Sequence, residues 1–235
     1  DQAVAAFGAP EQLFAIVRDS RGQYKKAAAG GAEEQLDDSF TLHLFYPSPS
    51  EPLGKDSPAA GTTPAGLHCQ LSASVTATHV DSSQLRYKVQ GTRGSYVKYG
   101  LDPQEAQLKA GWTPASHADK FGKADGEPEV TRLGTLTELQ EKNRDWSQEK
   151  CDPTKPPALV ERKIETMPGR YIDLYGNLGE IIQEANALPA ADAQGRSKII
   201  DEKQKVQTGS VAVAIRILEL ARQSAKEGRV IKYGM

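Results

Sequence analysis

Four runs in the first half of the chain alternate apolar and polar residues with a period of two, and this pattern limits the fold class most. In "DSFTLHLFYP" (Asp38 to Pro47), Phe40, Leu42 and Leu44 point one way, and Thr41, His43 and Phe45 the other. In "LHCQLSASVTATHV" (Leu67 to Val80), Leu71, Ala73, Val75 and Ala77 lie opposite Ser72, Ser74, Thr76 and Thr78. "LRYKVQG" (Leu85 to Gly91) sets Leu85, Tyr87 and Val89 against Arg86, Lys88 and Gln90, and "SYVKYG" follows at once. Short polar turns join these runs, and strands joined that way pair antiparallel. "EQLFAIVRD" (Glu11 to Asp19) reads as a further strand and "ALVERKIETM" (Ala158 to Met167) as an edge strand.

Helical spacing takes over toward the other end. In "PGRYIDLYGNLGEIIQEA" (Pro168 to Ala185), Tyr171, Leu174, Tyr175, Leu178, Ile181, Ile182 and Ala185 recur at i, i+3 and i+4. The last helix runs from Val206 to a stop at Gly228, with Val211, Ala214, Ile215, Leu218 and Ala221 as its expected buried stripe. "DPQEAQLKAG" (Asp102 to Gly111) reads as a short helix capped by Asp102, with Pro103 first, and Thr137 to Lys150 as a weakly amphipathic one. Arg21 to Leu36 and Leu188 to Gln204 read as connections, and Trp112 to Glu129 as irregular. Ser48 to Pro64, with four prolines, reads as a long exposed loop.

These elements predict an α+β fold: one largely antiparallel open sheet with helices on one face, in a single domain over residues 1–235. The covered face would carry Leu42, Leu44, Leu71, Val75, Leu85, Tyr87 and Val89, under the helices at 171–185 and 206–225. The opposite face would carry His43, Phe45, Ser72, Ser74, Thr76, Arg86 and Lys88. Small hydroxyl residues there would let another sheet approach, and Phe45 is an aromatic that solvation alone does not explain. That face is therefore expected to bind a second copy of the chain. A merely solvated face is the competing reading.

With 29 basic and 31 acidic residues the net charge is −2, which leaves no electrostatic footprint for nucleic acid or an anionic membrane. No apolar run approaches a membrane span. Cys69 and Cys151 lie in unlike contexts and suggest neither a disulfide framework nor a metal site, so a reducing, cytoplasmic setting is expected. An apolar helical pattern (Val4, Phe7) is already running at the first residues, which reads as a start inside an element of a longer protein.

Several chemistries find no support. Neither "GTRG" nor "AAGGAEE" opens a helix after a parallel strand, as a dinucleotide loop must. "GTRG" is flanked by strands, not by the two helices of an RNA-binding clamp, and reads as a hairpin with Gly94 at positive φ. His43 and His68 share a face on nearby strands, yet no carboxylate or thiolate sits beside them at ligand spacing, and neutral imidazoles on a polar face are the expected reading. Lys98, Tyr99 and Asp102 stand where a strand ends and a capped helix begins, where rigid elements often hold functional groups. The plain alternative has Lys98 solvated and Tyr99 packed at the sheet edge.

"GTRGSYVKYGLDPQEAQLKAG" resembles a segment of the C-terminal half of the glucose–fructose oxidoreductase, inositol dehydrogenase and MocA-like family, especially its sugar- or inositol-dehydrogenase-like branch. "DQAVAAFGAPEQLFAIVRDSR", "DDSFTLHLFYP" and "PGRYIDLYGNLGEII" followed by "VAVAIRILELARQSAKEGR" fit the same template, so the resemblance covers essentially the whole chain. It implies an NAD- or NADP-dependent hydride transfer on a sugar or polyol. The cofactor would be held mainly by an N-terminal Rossmann domain absent from this chain, and none is expected on the chain alone. Asp1 would match the last Asp of the family's Asp-x-Gly-x-His-x-x-Asp motif, which places the preceding His and the Glu-Lys-Pro lysine outside the chain. The resemblance thus implies a substrate-binding and oligomerising domain with no catalytic residue of its own, and Asp1, Lys98, Tyr99 and Asp102 near the substrate. Members that lose catalysis and act as ligand sensors or scaffolds remain the alternative.

Overall fold

The computed structural model describes residues 1–20, 25–27, 33–35, 37–47, 66–75, 84–91, 93–126, 129–140 and 158–234. In chain order the first elements are α1 (Gln2–Phe7), β1 (Gln12–Arg18), β2 (Lys25–Ala27), β3 (Glu33–Gln35), β4 (Ser39–Phe45), β5 (His68–Ser74), β6 (Leu85–Gln90) and β7 (Gly94–Tyr99). Then come α2 (Gln104–Lys109), α3 (Glu129–Arg132), β8 (Leu133–Leu139), β9 (Leu159–Glu165), α4 (Tyr171–Ala187), α5 (Ala193–Lys203), α6 (Thr208–Glu227) and β10 (Ile231–Lys232). They fall into two compact units, one of Asp1–Thr78 with Glu184–Met235, the other of His79–Gln183. The class is α+β and every described strand pair is antiparallel.

The strands do not join one sheet. β10-β1-β4-β5 form one four-stranded sheet and β6-β7-β8-β9 another, with β2-β3 a separate ladder inside the segment read as a connection. Period-two alternation says which residues share a face of a strand, but not which strands are neighbours, so the expected continuous face divides.

In the first unit, β1 lies between β10 and β4, and Leu13 stands opposite both Ile231 and Leu44. Antiparallel partners share a face, so Leu13, Ala15, Leu42, Leu44 and Ile231 form one apolar surface. α6 packs on it through Ala214, Ile217, Leu220 and Ala221, and Val4 and Tyr46 close the core. Each fully buried leucine contributes about 1.5–3 kcal/mol. The buried stripe of α6 is therefore not the expected one. Val211, Ile215 and Leu218 face outward, although Ala214 and Ala221 are buried as expected. The helix has two apolar stripes, and Ser224 decides between them. Its hydroxyl, fully buried, accepts from the Ala15 amide at 3.0 Å and donates to the Arg229 carbonyl at 2.7 Å, which ties α6 to the edge of β1. Gly228 then ends the helix at φ 64°. Ser224→Ala is expected to cost about 1–3 kcal/mol by leaving a buried amide and carbonyl unpaired, measured by urea denaturation.

In the second unit β6 and β9 are edges and α3 leans on β7 and β8. Leu85, Tyr87 and Val89 are 54%, 40% and 53% exposed, so among the described residues no helix gives them the cover expected. Gly94 does not take positive φ. Its hairpin forms as expected, the Gly91 amide donating to the Gly94 carbonyl at 2.8 Å, but glycine is needed because a Cβ would sit 2.7 Å from the Thr137 carbonyl on β8. Thr137, Glu138 and Leu139 end β8 instead of opening a helix, and the remainder of that expected helix, 141–150, lies outside the described residues. Leu188–Gln204 holds α5 where a connection was expected. Its Asp192 caps the Gly195 amide at 2.9 Å, and none of its residues is buried. Such a helix lacks the apolar stripe that spacing detects. The Ser48–Pro64 loop and Cys151 are outside the described residues.

Candidate functional site

The turn from β7 into α2 gathers the site residues of the second unit. Lys98 is buried near the end of β7, and its ammonium donates to the carbonyls of Tyr99 (2.6 Å) and Thr131. Burial pushes its pKa down. Its Nζ therefore holds β7 to α3. Tyr99 is half-buried opposite Leu85. Gly100 turns the chain at φ 76°, and its amide donates to the Gln84 carbonyl at 2.8 Å. A side chain here would overlap Thr131, with a Cβ 2.8 Å from that residue's Cβ.

Asp102 is exposed, and its Oδ1 accepts from the Gln104 amide and from Gln104 Nε2, both at 2.9 Å. It thus meets the first turn of α2 as expected of a cap, although the helix proper begins after Pro103. Gln104 is the residue that sequence reasoning missed. It is fully buried, and its Oε1 accepts from the Tyr171 amide at 3.1 Å, so it ties the start of α2 to the start of α4. Gly169 makes room: a Cβ there would lie 2.7 Å from Gln104 Nε2 and collide with the Asp102 carboxylate. Gln107 extends the clamp, its Oε1 accepting from the Gly122 amide at 2.8 Å and its Nε2 donating to the Lys123 carbonyl at 2.9 Å. The available signal was a polar residue at an inward position of a short helix, with "PGR" sixty-odd positions downstream.

Asp1 is exposed and precedes α1 in the first unit, its carbonyl accepting from the Ala5 amide. Lys98, Tyr99 and Asp102 are in the second unit. The residues expected at an interface also divide. His43, Phe45, Ser72 and Ser74 lie on the face of the first sheet away from α6, while Arg86 and Lys88 are on β6 of the second sheet and Thr76 is outside the described residues. The Arg86 guanidinium lies 5.5 Å from the centre of the Tyr87 ring.

On that open face Phe45 and His68 stack at 4.9 Å, and His43 Nδ1 meets His68 Nε2 at 3.0 Å. Among the described residues no group of three or more histidine, cysteine or carboxylate side chains could hold a metal. No described helix is long and apolar enough to cross a membrane. On the α6 side, Phe40, Val75, Ile215 and Leu218 line an apolar groove of about 630 Å³ with Arg222 and Asp37 paired at its rim. The clamp around Gln104 offers hydrogen-bonding chemistry, not an activated nucleophile.

No protein-family profile matches the chain. It is 26% identical over 219 residues to an uncharacterized oxidoreductase of Schizosaccharomyces pombe, covering 92% of this chain and 49% of the relative. A second uncharacterized oxidoreductase of that yeast is 32% identical over 183 residues, 77% of this chain and 39% of its own length. The scyllo-inositol 2-dehydrogenase (NADP(+)) IolW of Bacillus subtilis is 32% identical over 149 residues, 62% of this chain and 30% of its own length. The chain thus spans about half or less of the curated relatives it matches. Among solved structures, a Bacteroides fragilis protein provisionally classed as an oxidoreductase superposes with a TM-score of 0.58 at 25% identity, over 98% of this chain and 49% of that one. The yvaA protein of Bacillus subtilis superposes with a TM-score of 0.60 at 24% identity, over 98% and 48%, and speaks for the fold.

Proposed function

Since the chain belongs to the oxidoreductase family of glucose–fructose oxidoreductase, inositol dehydrogenase and MocA and has the α+β fold of its C-terminal domain, we propose that it is the substrate-binding and oligomerising domain of an NAD- or NADP-dependent sugar or polyol oxidoreductase. The observation that carries the reading is the similarity to relatives that are oxidoreductases, one of them named as an inositol dehydrogenase using NADP(+). The described strands are all antiparallel, and no glycine-rich loop among the described residues opens a helix behind a parallel strand, so these residues do not fit a dinucleotide. This supports a division of labour in which the cofactor lies elsewhere in the protein and this chain orients the substrate. Asp102 and Tyr99 are suited to hydrogen-bonding a carbinol array, and Lys98 acts as a positioning residue through the carbonyls it holds. A cytoplasmic setting goes with this chemistry.

The test is turnover by the protein of the complete reading frame, with NAD(+) or NADP(+) and a panel of inositols and aldoses, followed by reduced-nicotinamide absorbance. Turnover of at least one polyol is expected. Polyol binding without turnover would return the protein to the ligand-sensing class. In the active protein, Lys98→Ala is expected to lower kcat/KM at least about tenfold, roughly 1.4 kcal/mol of transition-state binding. Unchanged kinetics would reduce Lys98 to a purely structural role.

The homo-oligomer reading now rests on the open face of the first sheet alone. Phe14, Ile16 and Phe45 stand there beside Thr41 and Ser72 with no described helix over them. Phe45→Asp is expected to shift a dimer toward monomer in sedimentation equilibrium, because it sets a charge in a desolvated contact. A wild-type chain that is monomeric throughout would remove the oligomer from the proposal.

A further inference from the structure

We propose that His43 and His68 form a binding site for a divalent transition-metal ion on the open face of the first sheet, of the nickel(II) or copper(II) kind. The two residues lie on adjacent antiparallel strands. Register sets His68 opposite Phe45 and His43 opposite Gln70, so the imidazoles are diagonal neighbours. Their facing nitrogens, His43 Nδ1 and His68 Nε2, are 3.0 Å apart, and the rings are within 15° of parallel.

The pair is held in place without any ion. Phe45 stacks on His68 with 5° between the ring planes, and Phe14 packs 6.3 Å from His43 on the other side. Such packing restricts the rings before a ligand arrives, which lowers the ordering cost of binding to what the turn of each ring requires. Among the described residues, the charged side chains that register puts on this face are Arg18, four residues along β1 from Phe14, and Lys232 of β10, opposite Gln12 and two strands from Phe45.

Geometry selects the ion. Imidazole nitrogens bind such metals at about 2.0–2.1 Å. With the two nitrogens 3.0 Å apart, an ion on their bisector subtends an angle near 94°, an order-of-magnitude construction from those distances. That is a cis angle of a tetragonal or octahedral centre, and it falls short of the tetrahedral angle that zinc prefers. The affinity order of divalent first-row metals also favours copper and nickel. No third histidine, cysteine or carboxylate joins the pair among the described residues, so in a chain whose open face is not covered by a second copy water fills most remaining positions, and the Gln70 amide oxygen is on the same face opposite His43.

The proton balance closes. In the ion-free pair one ring nitrogen donates to the other. On binding, that bridging proton moves through solvent to the remote nitrogen of its own ring. Both imidazoles stay neutral, each ring turns so that its facing lone pair swings from the other nitrogen onto the metal, and no proton is lost.

The experiment is calorimetric titration of the tag-free chain with nickel(II) chloride, and separately with zinc(II) chloride. Micromolar nickel binding is expected, tighter than zinc. His43→Gln and His68→Gln should each weaken nickel at least about tenfold, since either removes one of two nitrogen ligands. His117→Gln, a histidine that stacks on Trp112 at 4.4 Å in the other unit, should leave it unchanged. Far-UV circular dichroism checks that the exposed-face variants fold. No binding below millimolar nickel, or binding that survives both substitutions, would overturn the site.

Discussion

Leu220→Ala is expected to destabilise the first unit by about 3–5 kcal/mol, the upper part of the range for a buried leucine truncated to alanine. Leu220 is 2% exposed and sits among β1, β4 and β10 residues with Ile217 and Ala221. Truncation leaves a cavity that a helix pinned at Ser224 cannot close by sliding. Against a typical total of about 5–15 kcal/mol, that is a large share of the stability. The paired control is Leu218→Ala, two residues away and 61% exposed, which should change stability by no more than about 0.5 kcal/mol. Urea denaturation followed by circular dichroism reads both. Equal losses would mean that α6 is rotated toward the stripe that its spacing alone suggests.

Gly100→Ala should cost about 2–5 kcal/mol in the second unit. Two terms add. An L-residue at φ 76° carries a backbone penalty of about 1–2 kcal/mol. A methyl 2.8 Å from the Thr131 Cβ must also push α3 aside, a further cost of about 1–3 kcal/mol for overpacking. Moving α3 disturbs the Thr131 carbonyl that holds Lys98, so the damage spreads to the turn that carries Tyr99 and Asp102. Gly176→Ala makes the opposite case. It lies in α4 with nothing within 4 Å of its would-be Cβ, and should stabilise by about 0.5–1 kcal/mol through helix propensity. A denaturation midpoint for Gly100→Ala at or above wild type would refute the steric account.

Much of this structure is legible in the sequence, for a physical reason. β4 reads correctly because Leu42 and Leu44 alternate with Thr41 and His43, and α4 and α6 because their apolar residues recur every turn. Periodicity reports the local contrast between two sides of an element. It is silent where there is no contrast, as in α5, and where an element carries two stripes, as in α6. It is silent too on long-range pairing, so Leu71 and Leu85 were assigned to one sheet when they belong to two. At the candidate site, the strand end, the turn and Asp102 were readable from local chemistry. Gln104 was not, because its role depends on a partner, Tyr171, that only the folded chain brings near.

The pairing of Leu13 with Ile231 has a consequence for the order in which the protein can fold as it is made. The first unit draws its strands from the beginning of the chain and its covering helix and edge strand from the end. Its core therefore cannot close until Ile231 has left the ribosome, and β1 waits with one apolar face and one edge unprotected. The second unit is continuous in sequence, so all of its partners emerge before that moment. Domains of this kind fold as units during synthesis, and their exposed strands are open to wrong partners while they wait. A nascent chain stalled just before Ile231 should leave Leu13 and Ala15 accessible to chaperones, whereas the Gln104 clamp should already be shut.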